Sequence, residues 1–217
     1  MNKLCTDRYY FSVEGETEKW YLRWLENTIN SQVNRIQNVK FNISEPGISP
    51  IKYVKNISLF TKIDLYHLCD YEGSTHQDTD RFEQIIEAMK MAERQKTVNY
   101  ELCYSNLTFE LWLILHKIKL NTMFDSKGSY LSHFNRAFAT KYNSLKEMKK
   151  EKNFKKILDR LTFNDVIFAV ENSCQIRESN KQNKRASKIG RHEYFKDNTD
   201  LTVHCVVGKI IERCGLA

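Results

Sequence analysis

The chain has 217 residues, of which 41% are hydrophobic and 28% are charged, so it is long enough to bury one full core. It contains no run of about 18 apolar residues, which excludes a predicted transmembrane helix, and its first residues lack the apolar stretch of a signal peptide. We therefore expect a cytoplasmic protein with no membrane partner. The formal charge is +7, and six scattered cysteines without a CxxC pair favour reduced buried thiols over zinc ligands or disulfides.

The first predicted strand, Arg8 to Val13, breaks into an acidic turn that starts at Glu14 and leads into a helix. Acidic residues suit the first turn of a helix because the helix N-terminus carries partial positive charge. Glu18 lies one helical turn after Glu14, so both carboxylates would face one site. The apolar face of this helix is predicted to consist of Trp20, Tyr21, Trp24, Leu25, Ile29 and Val33.

A second strand is predicted over Val39 to Glu45, and Pro50 opens a short helix after it. The stretch from Lys62 to Gly73 contains a strand that is apolar on both faces, as in a buried parallel sheet. Asp70 and Glu72 at its carboxyl end are spaced i, i+2, so they would point the same way in an extended chain. Converging carboxylates repel each other unless a cation lies between them, and hard ions such as Mg²⁺ prefer oxygen ligands. The alternative is a solvated acidic turn.

An amphipathic helix that starts near Asp78 and a fourth strand from Asn99 to Tyr104 complete the first half of the chain. The alternation of strands and helices predicts an α/β fold with a mainly parallel four-stranded sheet flanked by helices. Open α/β sheets bind ligands at the carboxyl ends of their strands, which is where Glu14, Asp70 and Glu72 are predicted to lie.

The segment from Phe109 to Leu115 is apolar on every side except at Glu110, which predicts a buried helix. A buried carboxylate without a partner is costly, so Glu110 needs a partner or a function. His116 lies at the end of this helix, where a charged imidazole would be favoured. We expect a packed, hydrogen-bonded histidine rather than a catalyst, and we keep Glu110 and His116 as secondary catalytic candidates for proton transfer or substrate positioning.

The second half of the chain is predicted to be helical and basic. Residues 116–217 carry 21 Lys and Arg against 11 Asp and Glu, whereas residues 1–115 carry 13 against 16. This division suits a metal-dependent enzyme of nucleic acid, because a metal needs carboxylates and the phosphate backbone needs cations. The alternative is that the lysines only solvate helices. The candidate contacts with nucleic acid are Lys19, Lys149, Lys150, Lys152, Lys184, Arg185 and Lys188.

Two segments near the end of the chain are predicted from different signals, one from its lack of an apolar pattern and one from its capping residues. Arg177 to Arg191 has no large apolar run, which predicts a loop or frayed helix that orders on a ligand. Asn198 to Asp200 is predicted to cap the last helix, and Gly215 is predicted to end it.

Three stretches, FSVEGETEKWYL, CDYEG and SNLTFELWLILH, resemble the RloB-like proteins in this order and spacing, and the closing DNTDLTVHCVV is similar more loosely. The resemblance implies a Toprim-like catalytic core over residues 1–120 with a basic helical region, residues 121–217, packed on it. It implies that Glu14 is the strand-one glutamate and that Asp70 and Glu72 are the acidic pair, where Toprim proteins usually have Asp-x-Asp. Glu18 matches an acidic metal ligand of OLD-type nucleases. The implied metal ligands are thus Glu14, Glu18, Asp70 and Glu72, with Mg²⁺ or Mn²⁺ as cofactor.

The resemblance also implies a toxic effector of anti-phage, abortive-infection systems of the AbiL type, encoded with an ABC/SMC-like ATPase. The chain has no GxxxxGK[ST] loop, so ATP hydrolysis would belong to the partner. The expected function is metal-assisted phosphodiester hydrolysis of RNA such as tRNA, or of DNA. Two alternatives stay open: a non-catalytic Toprim subunit that docks the ATPase, and nucleotidyl transfer, for which the sequence shows no nucleotide site. The sequence also leaves a homo-oligomer open.

Overall fold

The computed structural model describes residues 4–58, 61–72, 75–120 and 127–217. Its strands are β1 (Thr6–Val13), β2 (Asn38–Ile43), β3 (Ile63–Tyr71), β4 (Val98–Asn106), β5 (Ser187–Ile189), β6 (His192–Tyr194) and β7 (Asp200–Leu201). Its helices are α1 (Glu16–Asn30), α2 (Pro50–Asn56), α3 (His76–Gln95), α4 (Glu110–Leu115), α5 (Lys127–Phe138), α6 (Leu145–Met148), α7 (Glu151–Leu158), α8 (Phe163–Asn183) and α9 (Val203–Arg213).

The main sheet has the strand order β2-β1-β3-β4-β7, and β1 to β4 are mutually parallel. This arrangement confirms the predicted α/β fold with a mainly parallel sheet. The fifth strand, β7, pairs antiparallel with the end of β4, and it was not predicted because two residues carry no periodicity. A separate antiparallel hairpin is formed by β5 and β6.

The order of the strands places a crevice at the end of β1. The chain adds β2 on one side of β1 and then returns to add β3 on the other side. At such a reversal the carboxyl ends of the two strands border an open crevice, which is where open α/β proteins bind ligands. Val13 is aligned with Leu68 here, so the residues after β1 meet the last residues of β3.

Helices cover both faces of the sheet. Phe11 and Phe41 pack with α1 in one apolar cluster, which also takes side chains from α4, α5, α7, α8 and α9. The other face packs against α2 and α3, and Tyr194 of β6 joins that cluster. Residues 1–120 and 121–217 therefore share one core, and the sheet takes its edge strand from the second region. Within the described ranges, no helix is both long and apolar enough to cross a membrane.

Two predicted helix boundaries in the first half are wrong. α1 ends at Asn30, so Val33 does not extend its apolar face and is 93% exposed. α3 begins at His76 with the Thr75 side chain accepting a hydrogen bond from the Asp78 N–H, rather than starting near Asp78. The buried helix predicted around Glu110 is confirmed, because every residue of α4 is buried.

The region before the last helix also differs from the prediction. α8 continues to Asn183 and Arg177 lies buried within it, so the loop or frayed helix predicted over residues 177–191 is wrong for residues 177–183. Residues 184–186 form a short link without helix or strand, and β5 follows it. Asp200 belongs to β7, and Thr202 precedes the last helix, so the predicted cap is wrong as well. Gly215, with φ of 69°, follows the helix end as predicted. Cys69, Cys103 and Cys214 are buried thiols, whereas the other three cysteines are exposed.

Candidate functional site

The crevice between β1 and β3 has an acidic rim. Glu14 follows β1, and its Oε2 accepts a hydrogen bond of 3.1 Å from the backbone N–H of Asp70. Arg81 of α3 holds the Glu14 carboxylate at 3.4 Å and the Glu72 carboxylate at 3.5 Å. Burial raises the pKa of Glu14, while the Asp70 N–H and Arg81 oppose the rise. We call Glu14, Glu72 and Arg81 the rim group.

The carboxylate of Asp70 belongs to a second set of charges. Side chains alternate along a strand, and Cys69 and Tyr71 pack on the α3 face while Leu68 packs on the α1 face. Asp70 therefore faces α1. Burial raises the pKa of Asp70 well above its usual value, and the nearby charges of Glu18 and Glu110 raise it further.

Glu18 reaches this set from the first turn of α1. Its side chain is buried, and its Oε2 accepts a hydrogen bond of 2.9 Å from Thr17 Oγ1. Burial raises the pKa of Glu18 to about 7, helped by Glu110 and opposed by Lys149. A Cβ on Gly15 would lie 2.7 Å from Glu18 Oε2, so the glycine leaves room for the Glu18 carboxyl group in this position. Gly15 was not predicted as a site residue, although its place between the two glutamates was the available signal.

Glu110 and Lys149 complete the second set. Glu110 is fully buried, and Lys149 Nζ lies 2.9 Å from its Oε1. Burial lowers the pKa of Lys149 but Glu110 raises it more, so the net pKa lies above its usual value. Lys149, predicted to contact nucleic acid, thus neutralises a buried acid. We call Glu18, Asp70, Glu110 and Lys149 the inner cluster.

The inner cluster contains three carboxyl groups and one cation. Among the described residues, Asp70 Oδ1 and Glu110 Oε2 are buried atoms without a hydrogen-bond donor, and Lys149 Nζ lies 2.9 Å from the other oxygen of Glu110. Unpaired carboxylate oxygens of this kind are suitable ligands for a hard divalent cation. In the described part of the chain, no three His, Cys, Asp or Glu side chains are already arranged to hold a metal ion. The donors fit a divalent cation in type, and their side chains would have to close around it.

His116 lies in the core rather than at the crevice. Its Nδ1 is 2.7 Å from the carbonyl oxygen of Trp112, and its Nε2 is 3.1 Å from the Tyr21 hydroxyl. Burial lowers the pKa of His116 to about 4, so the ring is neutral at pH 7 despite its place at a helix end. With both nitrogens occupied and no exposed surface, His116 has no atom with which to contact a substrate. The candidate catalytic role for His116 is therefore not supported, because packing around it outweighs the helix-end charge.

The other predicted nucleic-acid contacts do not form one basic face. Lys150 and Lys152 lie at α6 and α7, on the α1 side of the sheet. Lys188 lies on the β5–β6 hairpin, which packs on the α3 side and pairs Lys188 with Glu193 at 3.6 Å. Lys184 and Arg185 are exposed in the link between α8 and the hairpin. Lys19 is paired with Glu45 at 2.7 Å.

The fold and the crevice define an α/β protein with a buried acidic cluster at the strand ends of a mainly parallel sheet. The family model described as RloB-like protein matches residues 9–212, nearly the whole chain. The chain belongs to the RloB-like family, which confirms the resemblance of its three motifs. No curated protein and no solved structure matches the chain.

The raised pKa of Glu18 predicts how stability depends on pH. Between about pH 4.5 and pH 7 the folded chain keeps a proton that the unfolded chain has lost, so the free energy of unfolding falls as pH rises through this window. Glu18→Gln removes this contribution, and we expect the variant to be more stable than the wild type by about 1–3 kcal/mol at pH 8. Urea unfolding at pH 5, 6, 7 and 8 in EDTA measures the difference. Glu16→Gln, an exposed change on the same turn, is the control, and parallel pH curves for Glu18→Gln and wild type would contradict the prediction.

Proposed function

We propose that this protein is a Mg²⁺- or Mn²⁺-dependent nuclease of the Toprim type, acting as the toxic effector of an anti-phage defence system. The observation that carries the proposal is the inner cluster: Glu18 and Glu110 lie close enough to Asp70 to raise its pKa, and two carboxyl oxygens of the cluster lack partners among the described residues. Burying like charges is costly for a fold, and such sites are enriched in function. The RloB-like family membership supports the same reading.

The residues of the crevice have distinct parts in this proposal. Asp70 and Glu18 would hold the metal with Glu14 and Glu72 at the rim, and the bound metal would supply an activated water and a stabilised leaving oxygen. Because burial raises the pKa of Glu18 to about 7, Glu18 would release its proton when it binds the metal. Lys149 and Arg81 are the nearby cations that would contact the phosphate oxygens of the substrate. Glu110, fully buried, positions Lys149 through their ion pair.

The direct test is incubation of the purified protein with tRNA, single-stranded DNA and double-stranded DNA in Mn²⁺, Mg²⁺ or EDTA. We expect cleavage of at least one substrate with a divalent ion and none in EDTA. The absence of cleavage under every condition, with a folded protein that also fails to bind Mn²⁺ by calorimetry, would reject the proposal.

The second candidate function is a non-catalytic subunit that docks an ABC-type ATPase. Lys149 and Arg81 favour it, because these cations of the chain already pair with Glu110, Glu14 and Glu72. This reading expects no binding of Mn²⁺ and no effect of the acids on function. Co-expression with an ATPase encoded alongside, followed by size-exclusion chromatography with and without ATP, tests the partnership itself. Failure to co-elute in both conditions would remove the docking proposal and leave the nuclease proposal standing.

Two pairs of basic residues lie in different parts of the fold, and their positions predict which pair binds nucleic acid. Lys150 and Lys152 directly follow Lys149 of the inner cluster in the sequence, whereas Lys184 and Arg185 lie after the end of α8. We expect Lys150→Gln/Lys152→Gln to reduce the slope of log affinity against log salt by about 1.4–1.8, which is 0.7–0.9 for each lost phosphate contact. Fluorescence anisotropy with labelled RNA or DNA in EDTA measures the slope. Lys184→Gln/Arg185→Gln is the matched control, and an equal loss of slope in both variants would contradict a contact specific to the α6–α7 side.

A further inference from the structure

A second feature of the crevice is a cleft of about 290 Å³ on the α3 face of the sheet, beneath the rim group. Its floor is formed by Val13 and His67 of β1 and β3. One wall is the face of α3 that carries Arg81, Gln84, Ile85 and Ala88, and the other is the segment of Gly47, Ile48, Ser49 and Pro50. Glu14 and Arg81 thus belong both to the rim and to the mouth of this cleft. The inner cluster lies on the opposite face and plays no part in it.

His67, on the floor of the cleft, has a ring nitrogen that forms no hydrogen bond among the described residues. Only 3% of the residue is exposed, and its Nδ1 lies 2.7 Å from Ser12 Oγ. Its Nε2 is buried and has no hydrogen-bond partner in the described part of the chain. The Tyr100 hydroxyl lies 3.2 Å from the same Ser12 oxygen. A buried polar atom without a partner is unfavourable, so Nε2 is suited to a ligand in the cleft.

The three side chains indicate which ring nitrogen carries the proton. If Tyr100 donates to Ser12 and Ser12 donates to His67 Nδ1, each hydroxyl hydrogen has an acceptor. The proton of the neutral ring then lies on Nε2, where it is the donor without an acceptor. Burial lowers the pKa of His67 to about 4, so the ring stays neutral at pH 7. The floor therefore offers one neutral donor, between walls in which apolar side chains alternate with the polar side chains of Ser49, Gln84 and Arg81.

The neutral donor on the floor of the cleft favours a small neutral ring that carries hydrogen-bond acceptors. Glu14 and Arg81 at the mouth are paired at 3.4 Å, so their charges largely offset each other there, and the volume is at the lower end for ligand pockets. Ser12 and His67 are paired in register, two and three residues before Glu14 and Asp70. The floor thus lies about 7–10 Å below the acidic edge, a depth comparable with a nucleoside.

We propose that the cleft binds one unpaired nucleobase of the substrate, with His67 Nε2–H donating a hydrogen bond to a ring nitrogen or carbonyl oxygen of the base. The inference rests on the proposed nuclease function for the identity of the substrate. Enzymes hold a base that has left its stack between apolar side chains and hydrogen-bonding groups, and this cleft supplies both kinds. Sequence-specific RNA recognition uses such unstacked bases. The backbone phosphate of the bound nucleotide would then lie at the rim, beside Arg81.

The test measures binding without cleavage, using adenosine, cytidine and uridine as probes in EDTA. We expect at least one nucleoside to bind with a Kd on the order of 1 mM or tighter and to shift the His67 imidazole resonances, with long-range ¹⁵N spectra showing the proton on Nε2. Ala88→Leu fills the cleft and should weaken binding by about 10-fold or more. His67→Phe keeps a ring but removes the donor and should weaken binding by about 5–10-fold. Gln95→Leu, on α3 away from the cleft, should leave binding unchanged.

The outcomes separate this inference from the proposed function. Binding of no nucleoside, or competition by inorganic phosphate alone, would overturn the base pocket, and so would equal binding by Ala88→Leu and wild type. Nucleoside binding without any cleavage of nucleic acid would support the pocket while rejecting the nuclease. Cleavage that Ala88→Leu leaves unchanged would reject the pocket while the nuclease stands. Urea unfolding of each variant ensures that a loss of binding is not a loss of fold.

Discussion

Replacing Asp70 with asparagine is expected to lower the rate of nucleic-acid cleavage by about 10³-fold or more, because a neutral amide is a poor substitute for a carboxylate that holds a metal. Asp70 lies where the inner cluster meets the rim group, since its N–H binds Glu14 while its carboxylate faces Glu18 and Glu110. Cleavage assays in Mn²⁺ measure the change, and growth on induction measures toxicity.

The same substitution is expected to keep the fold and to raise its stability at pH 8. Burial and like charges raise the pKa of Asp70, so ionising it in the folded chain is unfavourable, and an asparagine removes that cost. Asp64→Asn is the matched control, because Asp64 lies on the same strand at its amino end and forms a half-exposed ion pair with Lys209. Full cleavage activity in a folded Asp70→Asn protein would reject the nuclease proposal. Lost activity in Asp64→Asn as well would show that the effect is not specific to the crevice.

Replacing Arg177 with methionine is expected to lower the free energy of unfolding by about 3–5 kcal/mol, because it leaves a buried carboxylate without its cation. Arg177 of α8 binds Asp200, which is fully buried in β7, and it donates to the Tyr104 hydroxyl at 2.9 Å. Asn180 donates to Asp200 Oδ1 at 3.1 Å. Burial raises the pKa of Asp200 even though Arg177 and the hydrogen bonds oppose the rise. The network attaches the edge strand and α8 to β4.

Urea unfolding at pH 7 measures this loss, and Lys181→Met is the control on the same helix. Lys181 pairs with Glu178 on the surface at 2.9 Å, and exposed pairs contribute at most about 1 kcal/mol. The double variant Arg177→Met/Asp200→Leu should recover part of the stability, because it removes both charges together. A loss below about 1 kcal/mol in Arg177→Met would contradict a structural role for the network. Such a result would favour the frayed helix that the sequence predicts from residue 177 onward.

The sequence by itself determined the class of fold and the edge at which the acids meet. Alternation in the strands and the apolar run around Glu110 are local patterns, because side-chain direction in a strand or helix follows from position along the chain. Residues that end two parallel strands must lie at one edge of the sheet, so Glu14, Asp70 and Glu72 could be placed there from their positions alone. The family resemblance depended on the same stretches.

Only the tertiary structure decided how those acids divide between the two faces and which cations meet them. Lys149 reaches Glu110, Arg81 reaches Glu14, and Arg177 reaches Asp200 across large separations in sequence. Such contacts depend on how helices pack, which no local pattern contains. Burial is likewise a property of the packed chain. In sequence, His116 and His67 are each a histidine beside apolar residues. In the structure, burial makes His116 a neutral core residue and leaves His67 Nε2 without a partner among the described residues.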